Sequence, residues 1–138
     1  MKIIASLYIT LLILPIMAQA QDTNWQAPDA ADTLQNQFTV NKEFVSLGKK
    51  TFKSNCTTCH GKKGKGNGPA AVALNPKPAN LQSDRVQNES QSALFWKIST
   101  GRKGMPRWKS ALSKKQLWAV VIYVKSLTKS KEELSSNN

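Results

Sequence analysis

The sequence predicts an all-α domain, and three observations carry that expectation. After Asn41, a good N-cap, Phe44, Gly48, Phe52 and Cys56 recur at steps of four and so share one helical face. Near the other end, Ser113 and Gln116 have the spacing of a capping box, with Leu112 and Leu117 placed as a hydrophobic staple. Leu117, Val120, Val121, Val124 and Leu127 then keep helical spacing, while no stretch sustains the period-two alternation of a strand.

Each segment follows in order. Residues 1–20, MKIIASLYITLLILPIMAQA, read as a signal peptide. Lys2 forms a basic start, Ile3 to Met17 an apolar core, and Ala18-Gln19-Ala20 a small-x-small cleavage site. The apolar run is shorter than the ~20 residues that span a membrane. Cleavage near Ala20–Gln21 then leaves an exported, periplasmic chain with no transmembrane segment, long enough for one compact domain and too short for two. Residues 21–40 form a polar extension in which Trp25, Phe38 and Val40 are the side chains able to pack. The domain proper is expected over 41–131, with 132–138 as a tail.

Inside the domain, GKKGKGNGPA at 61–70 places four glycines within eight positions. It lacks the Gly-Lys-Ser/Thr ending of a phosphate-binding loop, so its glycines serve tight turns or close backbone approach. Pro76 and Pro78 continue the irregular stretch, and Ser92 to Ser99 reads as a short helix around Ala93, Leu94, Trp96 and Ile98. In the last helix Trp118 and Tyr123 add aromatic bulk, and Lys125, Lys129 and Lys131 suit the negative end of its dipole.

Charge is distributed unevenly. Residues 44 to 131 hold 18 of the 20 Lys and Arg residues but only Asp84 and Glu89 among the acids. A field of that sign seeks an acidic partner. Export makes nucleic acid the least suitable of the acidic candidates, leaving anionic lipid and acidic protein faces. Individually the lysines read as solvated surface.

The chemistry concentrates in CTTCH, residues 56–60, which holds both cysteines and the single histidine. A structural zinc site needs four ligands, and the mature chain offers three Cys or His. A thioredoxin-type Cys-x-x-Cys belongs near a βαβ pattern, which is absent. A disulfide or catalytic pair suits an exported chain but gives no reason for His60 to follow Cys59 directly. Covalent haem attachment accounts for all three residues: Cys56 and Cys59 add to the two vinyl groups, and His60 becomes an axial ligand. Met105 is the methionine left after signal cleavage, and it sits in the glycine-flanked loop TGRKGMP. A core methionine would be expected on a helix. The loop setting, Pro106 and the lack of another sulfur or imidazole favour Met105 as the second ligand, a soft donor that raises reduction potential.

At CTTCH, GKKGKGNGP, GMPRW and QLWAVVIYVKSL the chain resembles the monohaem class I cytochromes c, from about Asn41 to Leu127. The resemblance implies N- and C-terminal helices crossing over a covalently bound haem c, with Gly48 and Phe52 meeting Val120 and Tyr123. It also implies that the Pro69 carbonyl accepts a hydrogen bond from His60 Nδ1–H, orienting the ring. Asn67 stands where many relatives carry Asp, which reads as a surface change. Trp96 and Trp108 have two readings each, lining the haem pocket or packing in the core. Arg102 pairs with a propionate or stays solvated.

The function expected is that of a periplasmic electron carrier, not an enzyme, shuttling single electrons between respiratory partners. Two axial ligands leave no open iron position, and no acid, base or nucleophile stands out. Its partners would be acidic redox proteins (an oxidase, reductase or dehydrogenase), and it would act as a monomer. The competing readings are an accessory haem c subunit of a larger respiratory or dehydrogenase complex, and a haem sensor or peroxidase. The last would need a labile Met105 and a distal acid–base residue, for which no second histidine exists.

Overall fold

The computed structural model describes residues 25–128. The expected signal peptide at 1–20, Lys129, Lys131 and the tail at 132–138 lie outside the described residues. Among those described, the order is a 3-10 turn (Asp29–Thr33), α1 (Lys42–Asn55), α2 (Thr57–His60), a 3-10 turn (Pro69–Ala73), α3 (Asp84–Gln87), α4 (Gln91–Thr100), a 3-10 turn (Trp108–Ser110) and α5 (Lys114–Ser126). No strand occurs among them, so the all-α expectation holds.

The caps sit where the sequence puts them. Asn41 Oδ1 accepts from the Phe44 N–H at 2.9 Å, starting α1. Ser90 accepts from the Ala93 N–H at 3.0 Å, so α4 begins slightly before the predicted Ser92 and runs to Thr100. Both halves of the Ser113/Gln116 capping box form, and each satisfies an otherwise orphaned donor at the start of α5.

The most extensive packing between two elements joins α1 to α5. A Cβ added to Gly48 would lie 2.1 Å from the Ala119 carbonyl oxygen and 3.0 Å from Tyr123 Cβ. The two helix backbones therefore touch at Gly48. Phe52, one turn on, is fully buried and tilts against Tyr123 with ring centroids 5.2 Å apart. Burying a side chain of that size contributes roughly 1.5–3 kcal/mol. On the opposite side α5 packs Trp118 flat against Phe95 of α4, centroids 4.3 Å apart. Trp118 is thus structural, as expected.

Residues 25–40, the polar extension, are tied to the domain: Ala31 is buried, Phe38 stacks on Phe44, and Ser92 Oγ donates to the Leu34 carbonyl at 2.6 Å. Val40 alone of the three candidate packers stays half exposed. The lysines, moreover, are not all solvated. Lys97 is buried and bonded to Glu89 at 2.5 Å, and Lys125 Nζ donates to the carbonyls of Gln87 and, at 3.0 Å, Glu89. Lys125 thus serves the end of α3 rather than its own helix, because the α3 carbonyls lie within reach of its long stem.

Gly48 yields the first prediction. In an exposed helix Gly→Ala stabilises by about 1 kcal/mol, but here the added methyl drives into the Ala119 backbone. Gly48→Ala is expected to destabilise by about 1–3 kcal/mol, read as a lower denaturant midpoint with an unchanged slope. A midpoint that rises would mean the helix contact is looser than these distances.

Candidate haem-binding site

The CTTCH segment is a helix end. Cys56 caps the C-terminus of α1 through its N–H to the Phe52 carbonyl (2.9 Å) and also opens α2, with the His60 N–H returning to the Cys56 carbonyl at 2.8 Å. This single turn brings both thiols and the imidazole to one cleft. The cleft is mainly apolar: Phe52 from α1, Val120 and Val124 from α5, and Leu94 and Ile98 from α4 line it together with Cys56, Cys59, His60 and Met105.

His60 is oriented by the backbone. Its Nδ1 lies 3.0 Å from the Ala79 carbonyl oxygen. A carbonyl only accepts, so Nδ1 carries the proton and Nε2 keeps its lone pair. Burial pushes the imidazole pKa below its ordinary value, and the Ala79 hydrogen bond opposes that shift. The acceptor expected from the resemblance was Pro69, and this is corrected: Pro69 is exposed and begins a 3-10 turn. What brings Ala79 instead is the glycine loop. The Gly66 N–H donates to the His60 carbonyl at 2.8 Å, and the Leu81 N–H to the Gly64 carbonyl at 2.7 Å. Gly66, at φ 76°, allows the Pro78 carbonyl so close that a Cβ would sit 2.4 Å from it. Residues 78–81 are thereby laid along the loop, with the Ala79 carbonyl at the imidazole.

Met105 reaches the same cleft from a tight turn. Arg102 N–H donates to the Met105 carbonyl at 3.0 Å and Met105 N–H to that of Arg102 at 2.9 Å. Gly101, at φ 60°, lets the turn close against the Pro106 carbonyl, 2.4 Å from where a Cβ would be. Met105 is half-buried, partly packed on the core with its backbone fixed at both ends.

The remaining candidates divide. Trp108 and Arg102 line the cleft, whereas Trp96 stands outside its lining and packs against Trp25, centroids 6.4 Å apart. Trp25 is a lining residue that sequence reasoning did not place here. Only its being a large aromatic in a polar segment marked it. Asn67 is exposed, as a surface change would be.

The thiols are unpaired. Burial, then the neighbouring Cys59, pushes the Cys56 pKa up to about 12. Such a thiol stays protonated and is a poor nucleophile. No group of three or more His, Cys, Asp or Glu residues among the described residues could hold a bare metal ion. The donor set fits haem c: two thiols spaced Cys-x-x-Cys, an imidazole with Nε2 available, a thioether in the same cleft and apolar walls.

Comparison with known proteins gives the same family. Residues 43–124 match the family described as cytochrome C oxidase, cbb3-type, subunit III. The chain belongs to this family of class I c-type cytochromes. It is 35% identical over 84 residues to the cbb3-type cytochrome c oxidase subunit FixP of Bradyrhizobium diazoefficiens, covering 60% of this chain and 27% of FixP. It is 28% identical over 80 residues to cytochrome c6 of Tetradesmus obliquus, covering 58% of this chain and 86% of that protein. The domain's fold also resembles a chain of the Kuenenia stuttgartiensis reducing HAO-like protein complex, with a TM-score of 0.55 and 25% identity over 71% of this chain and 53% of that one. The matched stretch is thus about a quarter of FixP. The cytochrome c domain is of the kind found in haem c electron carriers and accessory haem c subunits.

The His60 geometry carries a second prediction. Because the Ala79 carbonyl is the acceptor, the His60 Nδ1–H in the proton NMR spectrum of the ferrous holoprotein is expected to exchange slowly and to show NOEs to Ala79 and Asn80. NOEs from that proton to Pro69 and Ala70 instead would restore the role to Pro69.

Proposed function

We propose that this chain is a periplasmic carrier of single electrons, in which Cys56 and Cys59 would attach one haem c and His60 and Met105 would ligate its iron. One observation carries the reading: both thiols, the imidazole and the thioether line one apolar cleft. Haem would supply an iron centre that changes by one electron without bond making. The chain's own residues supply the rest. Ala79 holds the imidazole so that Nε2 is the ligating atom, which also raises its basicity. The Gly101–Met105 turn holds the thioether, and the apolar walls keep water from the reacting edge.

The partners are acidic faces of an oxidase, reductase or dehydrogenase. Supporting this are the basic excess over 44–131 and the exposed Lys62, Lys63, Lys65, Lys103 and Arg107. A second reading, an accessory subunit in a respiratory complex, is favoured by the likeness to an oxidase subunit and to a chain of a multi-protein complex. No helix among the described residues is long and apolar enough to cross a membrane. Isolation from native membranes separates these readings: a free carrier elutes as a monomer, and a subunit co-purifies with its complex.

The test of the site begins with acid–acetone extraction of the purified holoprotein, in which haem is expected to stay with the polypeptide. Free haem in the organic layer would end the reading. Met105→Ala should then remove the far-red sulfur-to-iron band of the ferric protein, lower the midpoint potential and admit cyanide or carbon monoxide more readily. An unchanged spectrum would make Met105 a packing residue.

Electrostatic attraction acts on the association rate and is screened over about 8 Å at physiological salt. Electron transfer to an acidic redox partner is therefore expected to slow with ionic strength. Reversing Lys62, Lys63 and Lys103 to Glu should slow it most at low salt, with little change in potential. Stopped-flow rates indifferent to both would leave these lysines as plain surface.

A further inference from the structure

Residues 25–38 precede the stretch shared with the family, yet they reach the cleft. Trp25 lines it together with Lys97 and Arg102. The Arg102 guanidinium carbon stands 4.8 Å and Lys97 Nζ 5.5 Å from the Trp25 ring centroid, both at cation–π range. Trp96 backs the same ring. The segment behind it is anchored at three places: Ala31 is 2% exposed, the Leu34 carbonyl accepts from Ser92 Oγ, and Phe38 stacks on Phe44. A polar tail without function would not need so many ties to keep one indole at the cleft.

We propose that residues 25–38 form an added wall of the haem cleft that raises its reduction potential, with Trp25 as the positioning residue. The inference rests on the haem reading of the cleft. Two effects of the indole have the same sign. Ferric haem carries one more positive charge than ferrous, so excluding water from the cleft favours the reduced form. Holding Arg102 and Lys97 over the ring keeps cationic charge in the lining of the cleft, which would also disfavour the ferric state. Glu89 lies 2.5 Å from Lys97 and offsets much of that lysine's charge.

The experiment is potentiometric titration of the full-length holoprotein and its Trp25→Phe and Trp25→Ala variants, alongside thermal unfolding. Trp25→Ala is expected to lower the midpoint potential, with Trp25→Phe in between because a ring face remains, and with the covalent haem and the far-red band unchanged in both. A purely structural wall would lower the melting temperature and leave the potential where it was. Equal potentials in wild type and Trp25→Ala, with haem attached in both, would overturn the proposal and leave the haem reading standing. A wild-type protein without covalent haem would overturn both. Arg102→Gln supplies a variant outside the segment, expected to lower the potential while leaving the wall in place; no shift there would remove the electrostatic half of the argument.

Discussion

The contact between the backbones of α1 and α5 at Gly48 is the constraint on which the site depends. With no side chain at that position, the helices meet at the Ala119 carbonyl, and everything one turn further along is placed by that approach. Phe52 and, at the helix end, Cys56 follow on α1, while Val120 and Val124 follow on α5, and all four line the cleft. A larger residue at Gly48 would part the helices and widen the floor beneath the thiols. Interiors pack at crystal-like density, so such a change is not absorbed locally.

On that floor the site is finished by loops whose shape is set by backbone hydrogen bonds. The glycine loop contributes no side-chain chemistry. Its contribution is closeness, since Gly64 and Gly66 adopt positive φ and let residues 78–81 lie against the loop. The turn carrying Met105 is built the same way, closed by paired N–H···O=C bonds between Arg102 and Met105. Rigid backbone at both candidate ligands matters for a carrier, because little rearrangement should accompany loss or gain of an electron.

Legibility in the sequence followed the range of the interactions. Caps are local, so Asn41 and the Ser113/Gln116 box were readable from a few residues and the structure forms them. The α1 and α5 faces were readable from periodicity, and CTTCH from its spacing alone. The acceptor for His60 was not. It depends on which carbonyl the glycine loop lays across the imidazole, a contact between residues 19 apart in the chain, and Ala79 has no side-chain signal to announce it. Trp25 and Lys97 escaped for a related reason. Composition marks 21–40 as polar and lysines as surface, whereas the tilted packing of Trp25 on Trp96 and the Lys97–Glu89 pair are tertiary facts.

Those tertiary facts divide the basic residues into two populations with different physical weight. Lys62, Lys63, Lys65, Lys103 and Arg107 are exposed, so their field is screened within a Debye length and acts on encounter. Lys97, paired with Glu89, and Arg102 line the cleft, where lower polarity leaves charge less screened and would let it act on a bound centre. A high net charge alone does not distinguish these roles. One population would govern how fast a partner arrives, and the other how strongly the centre holds its electron, so the two properties can be altered independently in one small domain.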